Sequence, residues 1–198
     1  MAGPNELLAL TERIAEAARR LGVETALIGA TALAVRGYER ATKDLDLATV
    51  IDPYPKLQEL EVAVQALGLR TKLNMPDDED DLGGVLNIGT ELDEDGELVT
   101  SLQIVNFNNP MRPRKNPARD AIARATPIEP SSPLRCVQLD DLIALKIDAG
   151  SRQDLADVVA LIARNEDADL DRIRATCAPY GFTEIVETLI AEALLQRR

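Results

Sequence analysis

Hydrophobic residues recur along the chain at two spacings, one typical of helices and one typical of strands. Between residues 4 and 22 they return every three or four positions, which predicts an amphipathic helix that ends at Gly22. The short alanine-rich stretch of residues 30–37 fits a helix that ends at Gly37, and helical spacing predicts another helix over residues 54–68. Short apolar runs between these helices predict strands over residues 24–29, 44–51 and 69–74.

The second half of the chain begins with a hairpin signal and then becomes helical. The pair Asp95-Gly96 separates two alternating runs, which predicts a hairpin of strands 85–92 and 97–107. Three prolines favour an extended connection over residues 108–120, and residues 121–139 are predicted to mix short strand and loop. Residues 140–165 are predicted to contain two helical pieces around Ala149-Gly150, and further helices are predicted over residues 170–181 and 183–198.

This order of elements predicts an α+β (α/β) fold, in which helices flank a mixed β-sheet. We expect residues 1–120 to form the sheet domain and residues 121–198 to form a mainly helical C-terminal region. The chain has 198 residues, of which 45% are hydrophobic, and this is enough apolar surface for a substantial core.

The charge and the absent residue types exclude several classes of function. The chain contains no histidine, which excludes Ser-His-Asp and Cys-His catalysis and histidine-bearing zinc sites. The two cysteines, Cys136 and Cys177, have no metal-ligand spacing and are expected to be free buried thiols. No stretch is apolar enough to span a membrane, and the first residues lack a charged targeting region, so we expect a cytoplasmic protein.

The formal net charge of −12 disfavours nucleic acid as a partner unless a basic site exists locally. One candidate is the segment of residues 111–119, which concentrates four basic side chains: Arg112, Arg114, Lys115 and Arg119. They could contact an RNA acceptor, or they could simply keep a proline-rich linker solvated. The acidic run at residues 77–81 lacks the spacing of a calcium loop and is expected to be a solvated turn.

Two aspartates stand two positions apart in an otherwise apolar predicted strand. Asp44 and Asp46 should therefore project from the same face of that strand. Two carboxylates held so close raise each other's pKa, and a divalent cation relieves the repulsion. Mg²⁺ suits such a site because it accepts one or two carboxylates together with phosphate oxygens. The alternative is an edge strand whose aspartates meet water.

The residues that precede this pair are suited to phosphate. Gly29 stands between a predicted strand and a predicted helix, where the backbone can approach a ligand closely. Thr31 adds a hydroxyl group, and Arg40 and Lys43 lie just before the aspartates. Together they predict a phosphate-binding turn that faces a cation site.

Two motifs resemble those of a known family. The stretch ALIGATALAVRGYERATKDLDL (26–47) resembles the opening motif of the polymerase-β-like nucleotidyltransferase superfamily: a glycine turn, a short helix and then D-x-D. Its residues are most similar to those of the bacterial branch that contains the AbiEii-type toxins of toxin–antitoxin pairs. The stretch KIDAGSRQDLADVVAL (146–161) resembles a later motif of that branch, and the matching positions are Lys146, Arg152, Asp154 and Asp157.

The resemblance implies Mg²⁺-dependent transfer of a nucleoside monophosphate from an NTP to an acceptor hydroxyl on RNA, protein or a small molecule. It implies that Asp44 and Asp46 bind metal and that the C-terminal region completes the cleft. Catalytic roles are implied for Asp44, Asp46, Lys146 and Asp157, and nucleotide-binding roles for Gly29, Ala30, Thr31, Arg40, Lys43, Arg152 and Asp154. It also allows a toxin whose partner is an antitoxin protein.

From the residues alone, the second motif has a simpler interpretation. Asp154 and Asp157 are neighbours on one helix face, and Arg152 could pair with Asp157 or with phosphate. Ordinary salt bridging between helices would explain the same spacing.

The chain departs from the family pattern at Gln103, where relatives carry a third aspartate. Glutamine offers a carbonyl oxygen but neither charge nor basicity. Ala30 is a second departure, since relatives often have glycine or serine there. These departures keep open a catalytically silent relative that acts by binding nucleotide or protein.

Overall fold

A computed structural model describes residues 4–40, 42 and 44–197 of the chain. Its eight α-helices are α1 (Pro4–Arg20), α2 (Gly29–Val35), α3 (Gln58–Gln65), α4 (Ala118–Arg124), α5 (Leu139–Ala149), α6 (Arg152–Arg164), α7 (Leu170–Cys177) and α8 (Thr183–Gln196). Its nine strands are β1 (Ala26–Ile28), β2 (Leu45–Thr49), β3 (Arg70–Asn74), β4 (Val85–Gly89), β5 (Glu91–Leu92), β6 (Leu98–Val99), β7 (Leu102–Asn106), β8 (Thr126–Pro127) and β9 (Arg135–Cys136). A π-helical turn at Pro53–Leu57 leads into α3, and a 3₁₀ turn at Ala178–Tyr180 follows α7.

Seven of the strands form one mixed sheet in the order β3-β4-β7-β2-β1-β9-β8. The strand β2 runs parallel to β7, and β1 runs parallel to β9, while the other neighbours are antiparallel. The strands β5 and β6 form a separate hairpin at the predicted Asp-Gly turn. The predicted α+β fold, with a mixed sheet flanked by helices, is confirmed.

Alternation along the central strands decides which face of the sheet is buried. Along β7, Leu102, Ile104 and Asn106 are buried, while Gln103 and Val105 remain partly accessible on the other face. In β2, Leu45 and Leu47 are buried, and Asp46 points to the accessible side. Because successive side chains point to opposite faces of a strand, these strands have one buried apolar face and one accessible face.

The sheet contains strands from both of the regions that the sequence analysis divides at residue 120. The strands β8 and β9 lie beyond that residue, yet β9 pairs with β1. The helices α5, α6, α7 and α8 then pack on one another. Across the described residues, no helix combines the length and the apolar character that crossing a bilayer requires.

The helix α4 was not predicted, because residues 108–120 were expected to be extended and the following segment to be strand and loop. It has seven residues, and only Ala118, Ala121 and Ile122 are buried, so its periodic signal is too short to recognise. Pro117 immediately precedes it, and the connection from β7 is not extended throughout, because the Arg112 backbone N–H donates a hydrogen bond of 3.2 Å to the Asn109 carbonyl oxygen in a turn.

The helix α5 is buried along nearly its whole length, from Asp140 to Ile147. A helix that is buried all round must provide partners for its charged side chains. Asp141 forms an ion pair with Arg124, and Asp140 accepts a hydrogen bond from the Thr176 hydroxyl. These contacts fix α5 against α4 and α7.

Asn106 holds the end of β7 to two loops. Its side chain is fully buried, and its Oδ1 accepts a hydrogen bond of 3.0 Å from the Ile51 backbone N–H. Its Nδ2 donates to the carbonyl oxygens of Ile51, at 3.1 Å, and of Gly83, at 2.8 Å. The Asn106 amide therefore joins the chain that leaves β2 to the loop that precedes β4.

We expect Asn106→Ala to lower the free energy of unfolding by about 2–4 kcal/mol, since it leaves buried backbone groups without partners. Urea unfolding measures the change. Asn74→Ala, on the exposed edge strand β3, is the control, and its effect should stay within about 0.5 kcal/mol. Equal effects of the two changes would contradict the role assigned to Asn106.

Candidate active site

The turn between β1 and α2 lies directly against one aspartate of the D-x-D pair. The strand β1 is antiparallel to β2, and Ile28 stands opposite Asp46. The next residue, Gly29, has φ of +61°, and a Cβ atom built on it would lie 2.0 Å from Asp46 Oδ2. Only glycine fits here, because a side chain would collide with the carboxylate. The structure thus brings together the glycine turn and the carboxylate that the sequence placed seventeen residues apart.

The start of α2 presents uncapped backbone groups. Ile28 precedes the helix, and among the described residues no side chain accepts a capping hydrogen bond from the first N–H groups of α2. Ala30 is buried and Thr31 is half-buried at this end of the helix. Free N–H groups at a helix start are suited to an anion.

The carboxylate of Asp46 titrates well above its usual range. Burial, and then the charge of Asp44, raise the pKa of Asp46 to about 6, against the opposing effect of Lys146 and Arg40. Asp44 is half-buried and accepts a hydrogen bond of 3.2 Å from the Thr42 hydroxyl. Asp44 is therefore close enough to disfavour the ionisation of Asp46.

Lys146 lies in a buried cluster of charged side chains next to Asp46. Its Nζ is 2.6 Å from Asp154 Oδ1 and 2.9 Å from Asp157 Oδ2. Asp157 is fully buried, and Arg40 Nε lies 3.8 Å from its Oδ1. The cluster joins the loop before β2 to α5 and α6.

The surroundings of Asp154 stabilise its charged form. Burial opposes ionisation, but hydrogen bonds from Lys146 and Ser151 outweigh it, and the pKa of Asp154 is lowered. Ser151 Oγ lies 2.5 Å from Asp154 Oδ2. Asp154 and Asp157 together supply the negative charge that holds the Lys146 ammonium in place.

Arg152 does not pair with Asp157, which was one of the two roles that the sequence allowed it. The second oxygen of Asp157 instead accepts a hydrogen bond of 2.9 Å from Gln153 Nε2. Arg152 is exposed and forms no ion pair within the described part of the chain. Gln153 was missed because a glutamine beside two matching motif positions carries no charge signal.

These residues border a cleft of about 410 Å³. Five of the predicted site residues line it: Gly29, Arg40, Asp46, Lys146 and Asp154. Apolar side chains from α5 and the end of β7 line it as well: Leu142, Leu145 and Phe107. Ala30, Thr31, Asp44, Arg152 and Asp157 lie outside the lining, and Lys43 falls outside the described residues.

The opposite wall of the cleft was not predicted. Arg114 donates two hydrogen bonds, of 2.7 and 2.8 Å, to the carboxylate of Asp148, and its Nε lies 2.8 Å from Asp81 Oδ2. Arg112 in turn donates to the backbone carbonyl oxygens of Asp78 and Glu79. The basic segment and the acidic run therefore bind each other. The only sequence signal was their opposite charge, which does not specify the pairing.

This pairing bears on the two alternatives for the basic segment. Lys115 donates to the carbonyl oxygen of Pro179, and its Nζ lies 5.2 Å from the centre of the Tyr180 ring. Three of the four basic side chains thus have internal partners, while Arg119 is exposed. Fewer cations are left for an RNA backbone than the sequence suggested.

The oxygen atoms beside Gly29 fit a hard divalent cation. Asp44 and Asp46 offer carboxylates whose repulsion a cation would relieve, and Mg²⁺ accepts such a pair together with phosphate oxygens. No group of three or more acidic, cysteine or histidine side chains arranged for a metal exists among the residues that the structure describes. The neighbour of Asp46 on β7 is Gln103. The negative charge that the protein offers a cation here would come from two carboxylates, those of Asp44 and Asp46.

Comparison with known proteins places the chain in a recognised group. The family model described as "Nucleotidyl transferase AbiEii toxin, Type IV TA system" matches residues 13–197. No curated protein matches the sequence. The solution structure of the antibiotic-resistance factor ANT(2'')-Ia is 15% identical with a TM-score of 0.53, and the match covers 91% of this chain and 94% of that one.

A second solved structure with a similar fold is an antigenic nucleotidyltransferase-like protein from Paracoccidioides brasiliensis. It is 14% identical with a TM-score of 0.50, and the match covers 96% of this chain and 94% of that one. Likenesses at this identity establish a shared nucleotidyltransferase-like fold.

We expect Gly29→Ala to destabilise the protein more than Gly22→Ala does. Both glycines have positive φ, but a Cβ at Gly22 meets nothing within 4 Å. Gly22→Ala should cost about 1–2 kcal/mol from backbone strain. Gly29→Ala should cost about 1–3 kcal/mol more, because it displaces Asp46. Urea unfolding compares the two, and equal losses would mean that Asp46 moves aside freely.

We expect Asp46→Asn to stabilise the protein at neutral pH in the presence of a chelator. The pKa of Asp46 is raised from 3.8 to about 6 on folding, so the ionised form disfavours the fold above about pH 6. The neutral amide removes this cost, which is on the order of 2–3 kcal/mol.

The advantage of Asp46→Asn should shrink as the pH falls from about 6 to about 4, and it should vanish below pH 3.8, where Asp46 is protonated in both the folded and the unfolded state. Unfolding by urea at a series of pH values measures it. Asp95→Asn, in the exposed turn between β5 and β6, is the control. A pH-independent difference between Asp46→Asn and the original protein would contradict the raised pKa.

Proposed function

Because this chain belongs to the AbiEii family of nucleotidyltransferases, we propose that it transfers a nucleoside monophosphate from an NTP to an acceptor hydroxyl with Mg²⁺ as cofactor. The observation that carries the proposal is the contact between the Gly29 turn and Asp46 at the edge of a cleft that also contains Arg40 and Lys146. A backbone turn, a carboxylate and two cations in one cleft are suited to a cation-bound triphosphate.

In the proposed reaction, Asp44 and Asp46 hold the divalent cation. When bound, that cation neutralises phosphate charge and polarises the phosphorus that is attacked. The turn at Gly29, Ala30 and Thr31 binds phosphate oxygens through its free N–H groups.

The cations of the site bind and orient the phosphate groups. We assign this role to Arg40, Lys43 and Lys146, with Arg152 at the exposed rim. Lys146 is already charge-balanced by Asp154 and Asp157, which hold its Nζ next to Asp46. Asp157 thus acts through Lys146 and Arg40 rather than on the nucleotide itself.

We propose a sheet domain of residues 1–120 and a helical region of residues 121–198 that completes the cleft. Gly29 and Asp46 of the first region, and Lys146 and Asp154 of the second, line the same cleft. Substrate binding would then depend on both regions, although β8 and β9 of the second region belong to the sheet.

The acceptor is RNA, a protein or a small molecule, and the family description supports a toxin–antitoxin setting with an antitoxin partner. We therefore propose a bacterial toxin that acts in the cytoplasm, where NTPs are available. The contacts of Arg112, Arg114 and Lys115 within the protein favour an acceptor that does not need a continuous basic stripe.

A second candidate is a catalytically silent relative that binds nucleotide or a partner protein. The observation that favours it is Gln103, which stands beside Asp46 in the register of β7 and β2. An amide cannot accept the proton of an acceptor hydroxyl as a carboxylate can. The silent relative would keep the phosphate-binding turn but lack the transfer step.

Incubation with each of four α-labelled NTPs, Mg²⁺ and cellular RNA, cellular protein or a cellular small-molecule extract distinguishes the candidates. An active enzyme labels one of these pools. Asp46→Asn should reduce labelling by at least about 100-fold, since loss of an outer-shell group alone costs about 10–100-fold. Asp95→Asn is the matched control and should label as the original protein does.

Nucleotide that raises the melting temperature without any labelling would support the silent relative instead. If no nucleotide changes either the melting temperature or the labelling, both candidates are wrong.

A further inference from the structure

Three polar side chains form a row across adjacent strands next to the cleft. Asn87 on β4 stands opposite Gln103 on β7, and Gln103 stands beside Asp46 on β2. Residues aligned across neighbouring strands project to the same face, with the strands about 4.8 Å apart. All three side chains are partly accessible, while the residues on either side of them in their strands are buried.

Along this row, each side-chain amide donates its hydrogen bond to the neighbouring strand that lies farther from Asp46. Gln103 Nε2 donates to Asn87 Oδ1 at 3.0 Å, and Asn87 Nδ2 donates to the carbonyl oxygen of Lys72 at 3.2 Å. Because the nitrogen of the Gln103 amide faces Asn87, its oxygen Oε1 is turned away from Asn87. Within the described chain, Oε1 accepts no hydrogen bond.

If Asp46 were simply a solvated carboxylate, the Gln103 amide would be expected to point its nitrogen towards Asp46 rather than towards Asn87. A carboxylate is a stronger acceptor than a neutral amide, so Gln103 Nε2 would gain more by donating to Asp46 than to Asn87. Yet among the described residues no group donates a hydrogen bond to the Asp46 carboxylate, which is largely buried beside Gly29. The Gln103 amide therefore directs its N–H groups to Asn87 and leaves Oε1 without a donor among the described residues, although Gln103 stands beside Asp46 in the sheet register.

From this arrangement we infer that Gln103, oriented by Asn87, supplies a neutral oxygen ligand to the cation held by Asp44 and Asp46. The inference rests on the proposed function and specifies how that site differs from one with three carboxylates. The ligand set carries two negative charges rather than three, with the amide oxygen in the third position. Asn87 is a positioning residue, because it acts on the cation through Gln103.

The binding of Mn²⁺, used in place of Mg²⁺ and followed by the paramagnetic resonance of the free ion, tests the inference without any measurement of activity. We expect Gln103→Leu to weaken Mn²⁺ binding about tenfold, since it removes an oxygen ligand. Asn87→Leu should weaken binding by a similar factor, since it frees the amide to turn its nitrogen towards Asp46. Gln103→Glu should tighten binding about tenfold, because it adds a negative charge at nearly the same shape.

Two further variants separate positioning from general damage. The double variant Asn87→Leu, Gln103→Leu should bind no more weakly than either single variant, because both changes act through the same oxygen atom. Asn74→Leu, on the exposed strand β3, should bind Mn²⁺ as the original protein does. Additive losses in the double variant would overturn the role of Asn87.

If Gln103→Leu binds Mn²⁺ as tightly as the original protein while Asp46→Asn does not, the inference is wrong and the proposed function stands. If Asp46→Asn also leaves Mn²⁺ binding unchanged, both fail. Should Gln103→Leu not fold, Gln103→Glu decides the matter, and unchanged affinity in that variant overturns the inference.

Discussion

The arrangement of the cleft depends on the close approach of a backbone turn to a carboxylate. Gly29 can lie against Asp46 only because it has no side chain, and its positive φ turns the chain from β1 into α2 at that point. The antiparallel pairing of β1 with β2 places the two residues at neighbouring positions. One glycine thus determines the path of the chain, the burial of Asp46 and the direction in which α2 leaves the sheet.

The helical part of the molecule balances the charges that this approach creates. Asp46 is partly removed from water beside a second carboxylate, which is costly without nearby positive charge. Lys146 and Arg40 supply that charge, and Asp154 and Asp157 keep Lys146 in position. Because α5 is buried along its length, Lys146 cannot turn to solvent, so the electrostatics of the cleft are coupled to the packing of the core.

Local patterns predicted the features that depend on nearby residues. Helical periodicity, the Asp-Gly turn and the spacing of Gly29 and Asp46 are properties of short stretches, and the structure contains the corresponding elements. What the sequence could not predict depends on register and on long separations. Arg114 and Asp148 are 34 residues apart, and Gln103 and Asn87 are 16 apart, so nothing in either stretch indicates its partner. The helix α4 was missed because seven residues give too little periodicity.

Arg114 holds two oppositely charged segments together at the cleft, and one of its contacts is sensitive to salt. Like charges repel one another within the acidic run at 77–81 and within the basic segment at 111–119. Arg114 links the basic segment to the acidic run through Asp81 and to α5 through Asp148. Arg114 and Asp81 are about one third exposed, so dissolved ions weaken their attraction. Ionic strength therefore weakens the contact of Arg114 with Asp81 more than its contact with Asp148, whose side chain is only 7% exposed, so salt loosens the link to the acidic run before the link to α5.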